Sequence, residues 1–451
     1  MSESAFETAL ADRVAEMADA CTRCGKCVAA CPSIEPAGLG AADPVETITG
    51  IIDILRHGDG SEEARRWASS CVLSGACITA CDYGVNPRFL LAMARVAIAK
   101  SAKDPAERRG DSIAAFRNHQ RSFNMLTRLQ LDAEQLARLG QNARGAAKPA
   151  DDREPDFIFY TGCNVLKTAH IPLLALDIMD AIGISYRVLG GPSHCCGSVH
   201  LHSADPEAMG RVASYATEDM AKSKSKQVIT WCPSCFVHFT EETLPAVEKQ
   251  TGATPFEMTP YMRFLLGRLD DIKPRLNTPV PMRVALHKHP GVAGAMEAAE
   301  ALLRAVPGIE IVDLAQPAIG LQSVLVGALP KYKRELQQRE LEAAAAAGVD
   351  ALVTVYHSDH RELCAHERDW PFRILNILEI IGAGMGLHEE DKYKRLKLMQ
   401  DADAIVADCG DLIAQHKLNR EEARIAVAKG MLADQPLPLR GAPSRASRQP
   451  S

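Results

Sequence analysis

Apolar residues at helical spacing characterise the first hundred positions of the chain. Residues 5–17 predict a short amphipathic helix. A second helix is expected to begin at Asp43-Pro44, because proline suits a first helical position, and its apolar stripe comprises Ile48, Ile51, Ile52 and Leu55. Asn86-Pro87 predicts a third helix, through about Lys100. No strand is predicted before residue 150.

The pattern changes at residue 156, where strand-like and helix-like segments begin to alternate. The strand-like segments are DFIFY, YRVLG and QVITW, followed by MRVAL at 282–286, IEIVDL at 309–314 and ALVTVY at 351–356. This alternation predicts an α/β layer. Because the second three segments repeat the order of the first three, we predict an internal duplication with a period of about 125 residues.

Charge and hydropathy exclude two classes of protein. The chain has 51 basic and 57 acidic residues, a net charge of −6, which argues against a general nucleic-acid binder. The most apolar stretch, Ile374 to Leu387, is interrupted by Asn376 and Glu379, so no transmembrane segment is predicted. The N-terminus has no basic region followed by an apolar core. We therefore expect a cytoplasmic protein, with peripheral membrane contact left open.

Fourteen cysteines require an explanation in a chain with these properties. Disulfides are disfavoured in a reducing compartment, so clustered cysteines indicate metal ligands or redox groups. Twelve of the fourteen fall into three groups. Cys364 and Cys409 stand apart from these groups, and we interpret them as buried, unreactive thiols.

The first group has the spacing C-x2-C-x2-C-x3-C-P and comprises Cys21, Cys24, Cys27 and Cys31. Three thiolates at this spacing can wrap one iron–sulfur cube, while the fourth ligates a neighbouring cluster. A structural zinc site is the alternative, but such sites usually contain two cysteine pairs. The motif therefore favours a two-cluster ferredoxin-type module.

The second group comprises Cys71, Cys77 and Cys81, and Ser74 stands where the first motif has its second cysteine. Two interpretations remain open. Ser74 could be a hydroxyl ligand to a four-iron cluster, or the site could hold only three irons because a thiolate is missing.

The C-x5-C-x3-C spacing followed by Gly84-Val85-Asn86-Pro87 resembles the iron–sulfur subunit of succinate dehydrogenases and fumarate reductases. The resemblance covers residues 15–100 and departs from that family at Asp82, where proline is usual. It implies a [4Fe–4S] cluster on one ligand set and a [3Fe–4S] cluster on the other. The first set would be Cys21, Cys24, Cys27 and Cys81, and the second Cys31, Cys71 and Cys77.

The third group follows three predicted strands and comprises Cys163, Cys195, Cys196, Cys232 and Cys235. Since the carboxyl ends of parallel strands meet at one edge of a sheet, we expect all five sulfurs in one place. Gly162, Gly190, Gly191 and Gly197 would supply the turns between them. Adjacent cysteines suit a metal assembly better than a disulfide.

The spacing C-x31-CC-x35-C-x2-C, with Gly197 after the pair, closely resembles the cysteine-rich CCG domain of heterodisulfide reductases of the B type. The resemblance implies a non-cubane [4Fe–4S] cluster held by the five cysteines. The order of the modules resembles heterodisulfide reductase C–B or D-type chains. A flavoprotein partner is expected, since flavin couples hydride and one-electron chemistry and no G-x-G-x-x-G follows a strand here.

The second half of the duplication has lost the thiolates of the first. Aligning the strands pairs Cys232 with Tyr356, Cys235 with Asp359, Cys163 with Pro290, and Cys195-Cys196-Gly197 with Ala318-Ile319-Gly320. Other polar residues lie at these predicted strand ends, namely His287, His289, His357, Asp359 and His360. They could form a mononuclear metal site or a substrate pocket. We favour the alternative of polar filling together with solvent-exposed histidines.

These patterns predict an α-helical ferredoxin-like domain followed by an α/β CCG domain with an internal duplication. The expected divisions are a two-cluster domain at 1–105, a helical connector and linker at 106–153, a cluster-binding CCG repeat at 154–280, a degenerate repeat with C-terminal helices at 281–434, and a disordered tail at 435–451.

The predicted function is that of an iron–sulfur oxidoreductase subunit, active within a complex, which carries single electrons between a flavoprotein and a CCG cluster that acts on a thiol or disulfide. The alternative is a relay subunit of glycolate-oxidase type, which passes electrons from a flavin dehydrogenase to quinone or another acceptor.

Overall fold

Helices alone form the N-terminal part of the computed structural model, which describes residues 3–141, 154–223, 225–318 and 329–440. Within these ranges no strand precedes residue 157. The N-terminal helices are α1 Glu3–Ala20, α2 Lys26–Ala29, α3 Pro44–His57, α4 Glu62–Ser69, α5 Ala76–Thr79, α6 Pro87–Ala102, α7 Pro105–Arg128 and α8 Ala133–Arg138. The three helices predicted here are therefore present.

Helix caps fix where α3 and α6 begin. Each helix has proline at its first position, where the missing N–H costs nothing. The Asp43 carboxylate accepts hydrogen bonds from the amides of Val45 and Glu46, and the Asn86 side chain accepts one from the amide of Phe89. The two cysteine-bearing segments therefore each lead into a capped helix.

Two four-stranded parallel sheets follow, with the same strand order. The first is β2-β1-β3-β4 and the second is β6-β5-β7-β8. The strands are β1 Phe157–Tyr160, β2 Tyr186–Leu189, β3 Gln227–Thr230, β4 Glu257–Pro260, β5 Met282–Leu286, β6 Ile309–Ile311, β7 Ala351–Thr354 and β8 Arg373–Asn376. The shared order agrees with the predicted duplication, which itself stays a prediction.

Helices connect the strands and complete the chain. In the first sheet unit (β1–β4 with their helices) they are α9 His170–Ala181, α10 Ser198–His202, α11 Pro206–Ala221, α12 Pro233–His238, α13 Leu244–Thr251, α14 Tyr261–Leu266 and α15 Leu269–Ile272. In the second sheet unit (β5–β8 with their helices) they are α16 Ala295–Ala305, α17 Pro330–Ala346, α18 His357–Leu363 and α19 Ile377–Gly384. The last helices are α20 Lys392–Met399, α21 Ala402–Asp408, α22 Gly410–Gln415 and α23 Arg420–Val427.

One apolar core is shared by the two sheet units. The strands β1 and β7 are buried along their whole length, as expected for parallel strands covered on both faces. Helix α9 of the first unit packs on α19 of the second so closely that a Cβ on Gly382 would lie 3.1 Å from Leu174. The two units are therefore held against each other by close helix packing.

The connector helix α7 is anchored to other parts of the chain. Its C-terminal residues Met125 and Leu126 belong to a cluster of buried apolar side chains with Tyr393, Leu396 and Val427 of the C-terminal helices. The hydroxyl of Ser112, earlier in the helix, lies 2.7 Å from Nδ1 of His200 in the first sheet unit. Residues 142–153 of the predicted linker and 441–451 of the predicted tail lie outside the described residues.

The six predicted strands are present, and β4 and β8 were not predicted. Each begins directly after a Pro-Phe pair, Pro255-Phe256 and Pro371-Phe372, which is the signal that could have identified them.

The segment Ile374 to Leu387 forms most of β8 and all of α19. Among the described residues no helix has both the length and the apolarity to cross a membrane.

Candidate metal centres

The first group of cysteines surrounds a cavity in the helical module. Cys21, Cys24, Cys27 and Cys81 all line this cavity, together with Tyr83. Cys24 is exposed, whereas Cys27 is buried, and burial raises the pKa of the Cys27 thiol to about 12. The structure therefore brings Cys81 to the first three cysteines, across 54 residues of sequence.

The second group lies beside a second short helix. Burial raises the pKa of Cys77 well above its ordinary value, and the nearby sulfurs of Cys71 and Cys31 raise it further. Cys31 is therefore close to Cys77, and it is not among the residues that line the cavity of Cys21, Cys24 and Cys27. This exchange of the fourth cysteine is the arrangement that the first motif predicts.

Ser74 occupies the position in the second segment that Cys24 occupies in the first. Arg23 and Gly25 flank Cys24 with left-handed φ angles of 58° and 76°, and Leu73 and Gly75 flank Ser74 with φ angles of 55° and 79°. The two backbones therefore follow the same path into α2 and α5. The hydroxyl of Ser74 accepts a hydrogen bond of 3.4 Å from the amide of Ala76.

The third group meets at the carboxyl edge of the first sheet. Tyr160 at the end of β1 is paired with Leu189 of β2 and Thr230 of β3, so the three strands end level with one another. The loops that follow them bring together five buried sulfurs, in the hydrogen-bonded order Cys163, Cys195, Cys196, Cys235 and Cys232. Residues 72 positions apart in sequence thus form one thiol cluster.

Glycine at position 162 is required by this crowding. Its φ of 74° is left-handed, and a Cβ there would lie 2.9 Å from Cys232 Cβ and 3.1 Å from Cys235 Sγ. Any side chain would therefore push apart the loops that carry Cys163 and the Cys232–Cys235 pair.

The electrostatics of the thiol cluster favour a metal. Hydrogen bonding from the Cys195 thiol holds the pKa of Cys163 well below its usual range, and it does the same for Cys196. The pKa values of Cys195 and Cys235 are raised because they donate to these sulfurs and are buried. Five neighbouring thiolates in a buried site need compensating positive charge, which a multi-iron assembly supplies. The donor set therefore fits an iron–sulfur cluster.

Two histidines beside the thiol cluster were missed in the sequence. His119 of the connector helix α7 places Nε2 3.1 Å from Cys163 Sγ. His238 is buried near Cys196, and its Nδ1 lies 3.0 Å from Glu242 Oε2. No local motif identifies His119, because its contact depends on the packing of α7 against the first sheet unit.

The polar residues of the second sheet unit converge only in part. Asp359 Oδ2 lies 3.0 Å from His289 Nδ1, and Asp359 Oδ1 lies 3.9 Å from His287 Nε2. His287 Nδ1 is 2.7 Å from Glu340 Oε2, and His357 is buried nearby. The expectation of solvent-exposed histidines is wrong, because His289 and His357 are buried and His287 is largely buried.

His360 does not join this group, which corrects the grouping proposed from sequence. It lies one turn further along the chain than Tyr356, and its Nε2 is 2.7 Å from Asp391 Oδ2, away from the group of His287, His289 and Asp359. Of the other paired positions, Tyr356 packs between the two units, with ring centroids 6.5 Å from Trp231 and 5.0 Å from His289. Ile319 and Gly320 lie outside the described residues.

A buried arginine joins the second cysteine group to both sheet units. Arg88 Nε lies 3.1 Å from each carboxylate oxygen of Glu241, six residues after Cys235. The same guanidinium donates to the carbonyl of Leu73, beside Ser74, at 3.0 Å and to that of Gly291 at 2.8 Å. The helical module is therefore fixed against both sheet units at this point.

Comparisons with known proteins agree with this organisation. Residues 16–85 match the family model of the 4Fe-4S dicluster domain, and residues 157–240 match that of the cysteine-rich CCG domain. The first range contains Cys21 to Cys81 and the second contains Cys163 to Cys235.

Curated relatives share most of their length with this chain. It is 23% identical over 410 residues to the D-type subunit of dihydromethanophenazine:CoB–CoM heterodisulfide reductase from Methanosarcina mazei, an alignment that covers 82% of this chain and 94% of that protein. It is 24% identical over 330 residues to the same protein of Methanosarcina barkeri, covering 66% of this chain and 75% of that protein. No solved structure matches the chain.

The chain therefore contains a 4Fe-4S dicluster domain and a cysteine-rich CCG domain, and it is similar along most of its length to D-type subunits of heterodisulfide reductase. The relatives indicate an oxidoreductase-type subunit with electron-transport function.

Proposed function

We propose that this heterodisulfide-reductase-like chain is an electron-transfer subunit that carries single electrons between a flavoprotein partner and the thiol cluster of the first sheet. The observation that carries the proposal is the meeting of five buried thiols at one sheet edge, joined through Arg88 and Glu241 to the second cysteine group. Iron–sulfur clusters supply one-electron chemistry when bound, which matches the donor sets present.

The proposed ligands follow the grouping of the sulfurs. Residues Cys21, Cys24, Cys27 and Cys81 would hold a [4Fe–4S] cluster, because they line one cavity. A [3Fe–4S] cluster would be held by Cys31, Cys71 and Cys77, with a four-iron cluster on Ser74 as the alternative. A non-cubane [4Fe–4S] cluster would be held by Cys163, Cys195, Cys196, Cys232 and Cys235.

The three cysteine groups differ in solvent exposure, which indicates where a partner protein can approach. Cys24 and Tyr83 of the first group are exposed, whereas Cys71 and Cys77 of the second group and the thiol cluster are buried. A partner can therefore approach the first group most closely, and we place the flavoprotein there. The second group is linked through Arg88 and Glu241 to the sheet unit that carries the thiol cluster.

The second sheet unit has no thiolate opposite the thiol cluster in its described part. Tyr356 and Asp359 stand at the positions that align with Cys232 and Cys235, and we propose that the two units, 154–280 and 281–434, arose by duplication. One cluster can capture one sulfur at most. The favoured substrate class is consequently a single thiol or persulfide, or a disulfide handled together with a partner subunit.

A relay of glycolate-oxidase type is the second candidate. The loss of thiolates in the second sheet unit favours it, because a relay needs no site for a second sulfur. In that function the thiol cluster passes electrons to quinone or another acceptor and binds no thiol.

Thiol binding separates the two candidates. The anaerobic, reduced chain is mixed with thiols and disulfides, and the EPR spectrum of the CCG cluster is recorded. Action on sulfur is supported by a thiol-induced shift that is lost in Cys196→Ala. The control is Cys364→Ala, which replaces a buried cysteine of the second sheet unit and should retain the shift. An unchanged spectrum supports the relay. Rapid turnover of a heterodisulfide by the isolated chain would show that the second unit is not degenerate.

A further inference from the structure

Four potential metal ligands meet where the two sheet units pack together, apart from every cysteine group. His170 is the first residue of α9 in the first unit, whereas His360 of α18, Glu379 of α19 and Asp391 before α20 come from the other side. Each residue offers one nitrogen or oxygen, and these four atoms all lie within 4.8 Å of one another. Such convergence from four separate elements is unusual for groups that only solvate a surface.

The imidazole of His170 is buried without a hydrogen bond. Its side chain has no exposed area, and neither ring nitrogen makes a hydrogen bond to any residue that the structure describes. Nδ1 lies 3.2 Å from Asp391 Oδ1 and Nε2 lies 3.8 Å from Glu379 Oε2, but neither pair has hydrogen-bond geometry. Since buried polar groups are normally satisfied, this ring lacks the partner that its position implies.

The two carboxylates are held in place by helix caps. Asp391 Oδ1 accepts the amide of Lys394 at 2.9 Å, and Glu379 Oε2 accepts the amide of Asn376 at 2.7 Å. The ammonium group of Lys394 instead donates to Glu367 and to the carbonyl of Ile374, at 3.1 and 3.0 Å. Both acidic side chains are thus fixed close to the histidines, and no lysine side chain in the described part of the chain contacts them directly to neutralise their negative charge.

We propose that His170, His360, Glu379 and Asp391 bind a divalent transition-metal ion, with zinc as the first choice. Two imidazole nitrogens and two carboxylate oxygens suit a tetrahedral ion of this class, and the two carboxylates balance its charge. Because His170 belongs to the first sheet unit and the other three ligands follow β7 of the second, a bound ion would link the two units and stabilise their packing. This site is independent of the proposed electron-transfer function.

Metal analysis of the full chain tests the site. The wild type, His170→Ala and the control His366→Ala are purified anaerobically, incubated with zinc, desalted and analysed for zinc and iron by mass spectrometry. His366 is a buried histidine of the second sheet unit that is not among the four ligands. We expect about one zinc per chain in the wild type and in His366→Ala, its loss in His170→Ala, and equal iron in all three.

Zinc bound adventitiously by empty cysteine sites is distinguished by the same comparison, because it would persist in His170→Ala. Zinc should also raise the melting temperature of the wild type but not that of His170→Ala. If His170→Ala does not fold, Glu379→Gln replaces it, since the amide keeps an oxygen for the cap of α19. A wild type that retains no zinc and gains no thermal stability from zinc, manganese or ferrous ions would overturn the proposal, as would equal retention by the variants.

Discussion

Arg88 and Glu241 form a buried ion pair between the helical module and the first sheet unit. The side chain of Arg88 is 7% exposed and that of Glu241 11%, although 153 positions separate them in sequence. The guanidinium also donates to two backbone carbonyls, so its N–H groups have partners besides Glu241. The buried pairing of Arg88 with Glu241 therefore depends on the docking of the helical module against the first sheet unit.

Replacing Arg88 should be costly for this reason. In Arg88→Met, the carboxylate of Glu241 is left buried and unpaired, which lowers the free energy of unfolding by about 3–5 kcal/mol. The double variant Arg88→Met/Glu241→Gln should recover part of the loss, because the uncompensated charge is gone. Urea unfolding measures both. The control is Arg66→Met, whose exposed pair with Glu62 should contribute under about 1 kcal/mol; an equal loss in the two single variants would contradict the prediction.

Ser74→Cys should change the second cluster. Because Ser74 has the backbone position of Cys24, a cysteine there restores the fourth thiolate. Anaerobic wild type should hold about 11 irons and the variant about 12, with loss of the near-isotropic three-iron EPR signal of the oxidised protein. Ser70→Cys, close to the same loop, serves as a control and should change neither. Absence of the three-iron signal from the wild type would instead favour Ser74 as a hydroxyl ligand.

His119→Ala should alter the CCG cluster without removing it. A donor 3.1 Å from Cys163 Sγ stabilises added negative charge on the sulfur, so its loss lowers the reduction potential. We expect a decrease on the order of 60 mV, equivalent to about 1.4 kcal/mol for one electron. Potentiometric EPR titration gives the value, and Arg121→Ala on the same helix is the control. A potential unchanged in His119→Ala, at full iron content, would exclude a role for this contact.

The pair of His287 and Glu340 should make stability depend on pH. Burial lowers the pKa of His287, but Glu340, Asp359 and Glu362 raise it, with a net value of about 9 against 6.5 for an unperturbed histidine. A raised folded-state pKa stabilises the fold fully below pH 6.5, and this contribution is lost as the pH rises through 9.

The difference in unfolding free energy between wild type and His287→Gln should therefore shrink by up to about 3 kcal/mol between pH 6 and pH 10. Thermal unfolding at a series of pH values measures it. His366→Gln is the control, because burial lowers the pKa of His366 to about 4 and its pH dependence lies below 6.5. A constant difference for His287→Gln over this range would refute the assignment of the raised pKa.

The cysteine groups could be predicted from the sequence because the spacing of their residues is a local pattern. The runs around Cys21 and Cys71 and the strand-loop positions of Cys163 and Cys232 are local patterns, and the structure places these residues in three groups. Six strands were predicted because apolar residues dominate each of these segments and helix-like segments alternate with them. By contrast, β4 has the sequence EMTP with little apolar character, and the apolar run of β8 continues directly into α19, so neither was recognised as a separate strand.

Contacts between distant elements could not be predicted. His119 lies on a helix whose sequence is mostly polar, and its approach to Cys163 depends on how α7 packs. His360 was grouped with Asp359 because the two are adjacent in sequence. On a helix, adjacent side chains point about 100° apart, so one faces His289 while the other faces Asp391.

The exchange of Cys31 and Cys81 between the two N-terminal groups has a consequence for biogenesis. The cavity of Cys21, Cys24 and Cys27 is closed by Cys81, and Cys31 lies with Cys71 and Cys77. With the ligand sets proposed above, a ribosome that has released only the first motif presents two incomplete sites. Neither can be filled correctly until the chain has emerged beyond residue 81 and the intervening helices α3 and α4 have folded back. Cluster insertion must then follow translation of the whole module, which makes the order of maturation a property of the fold.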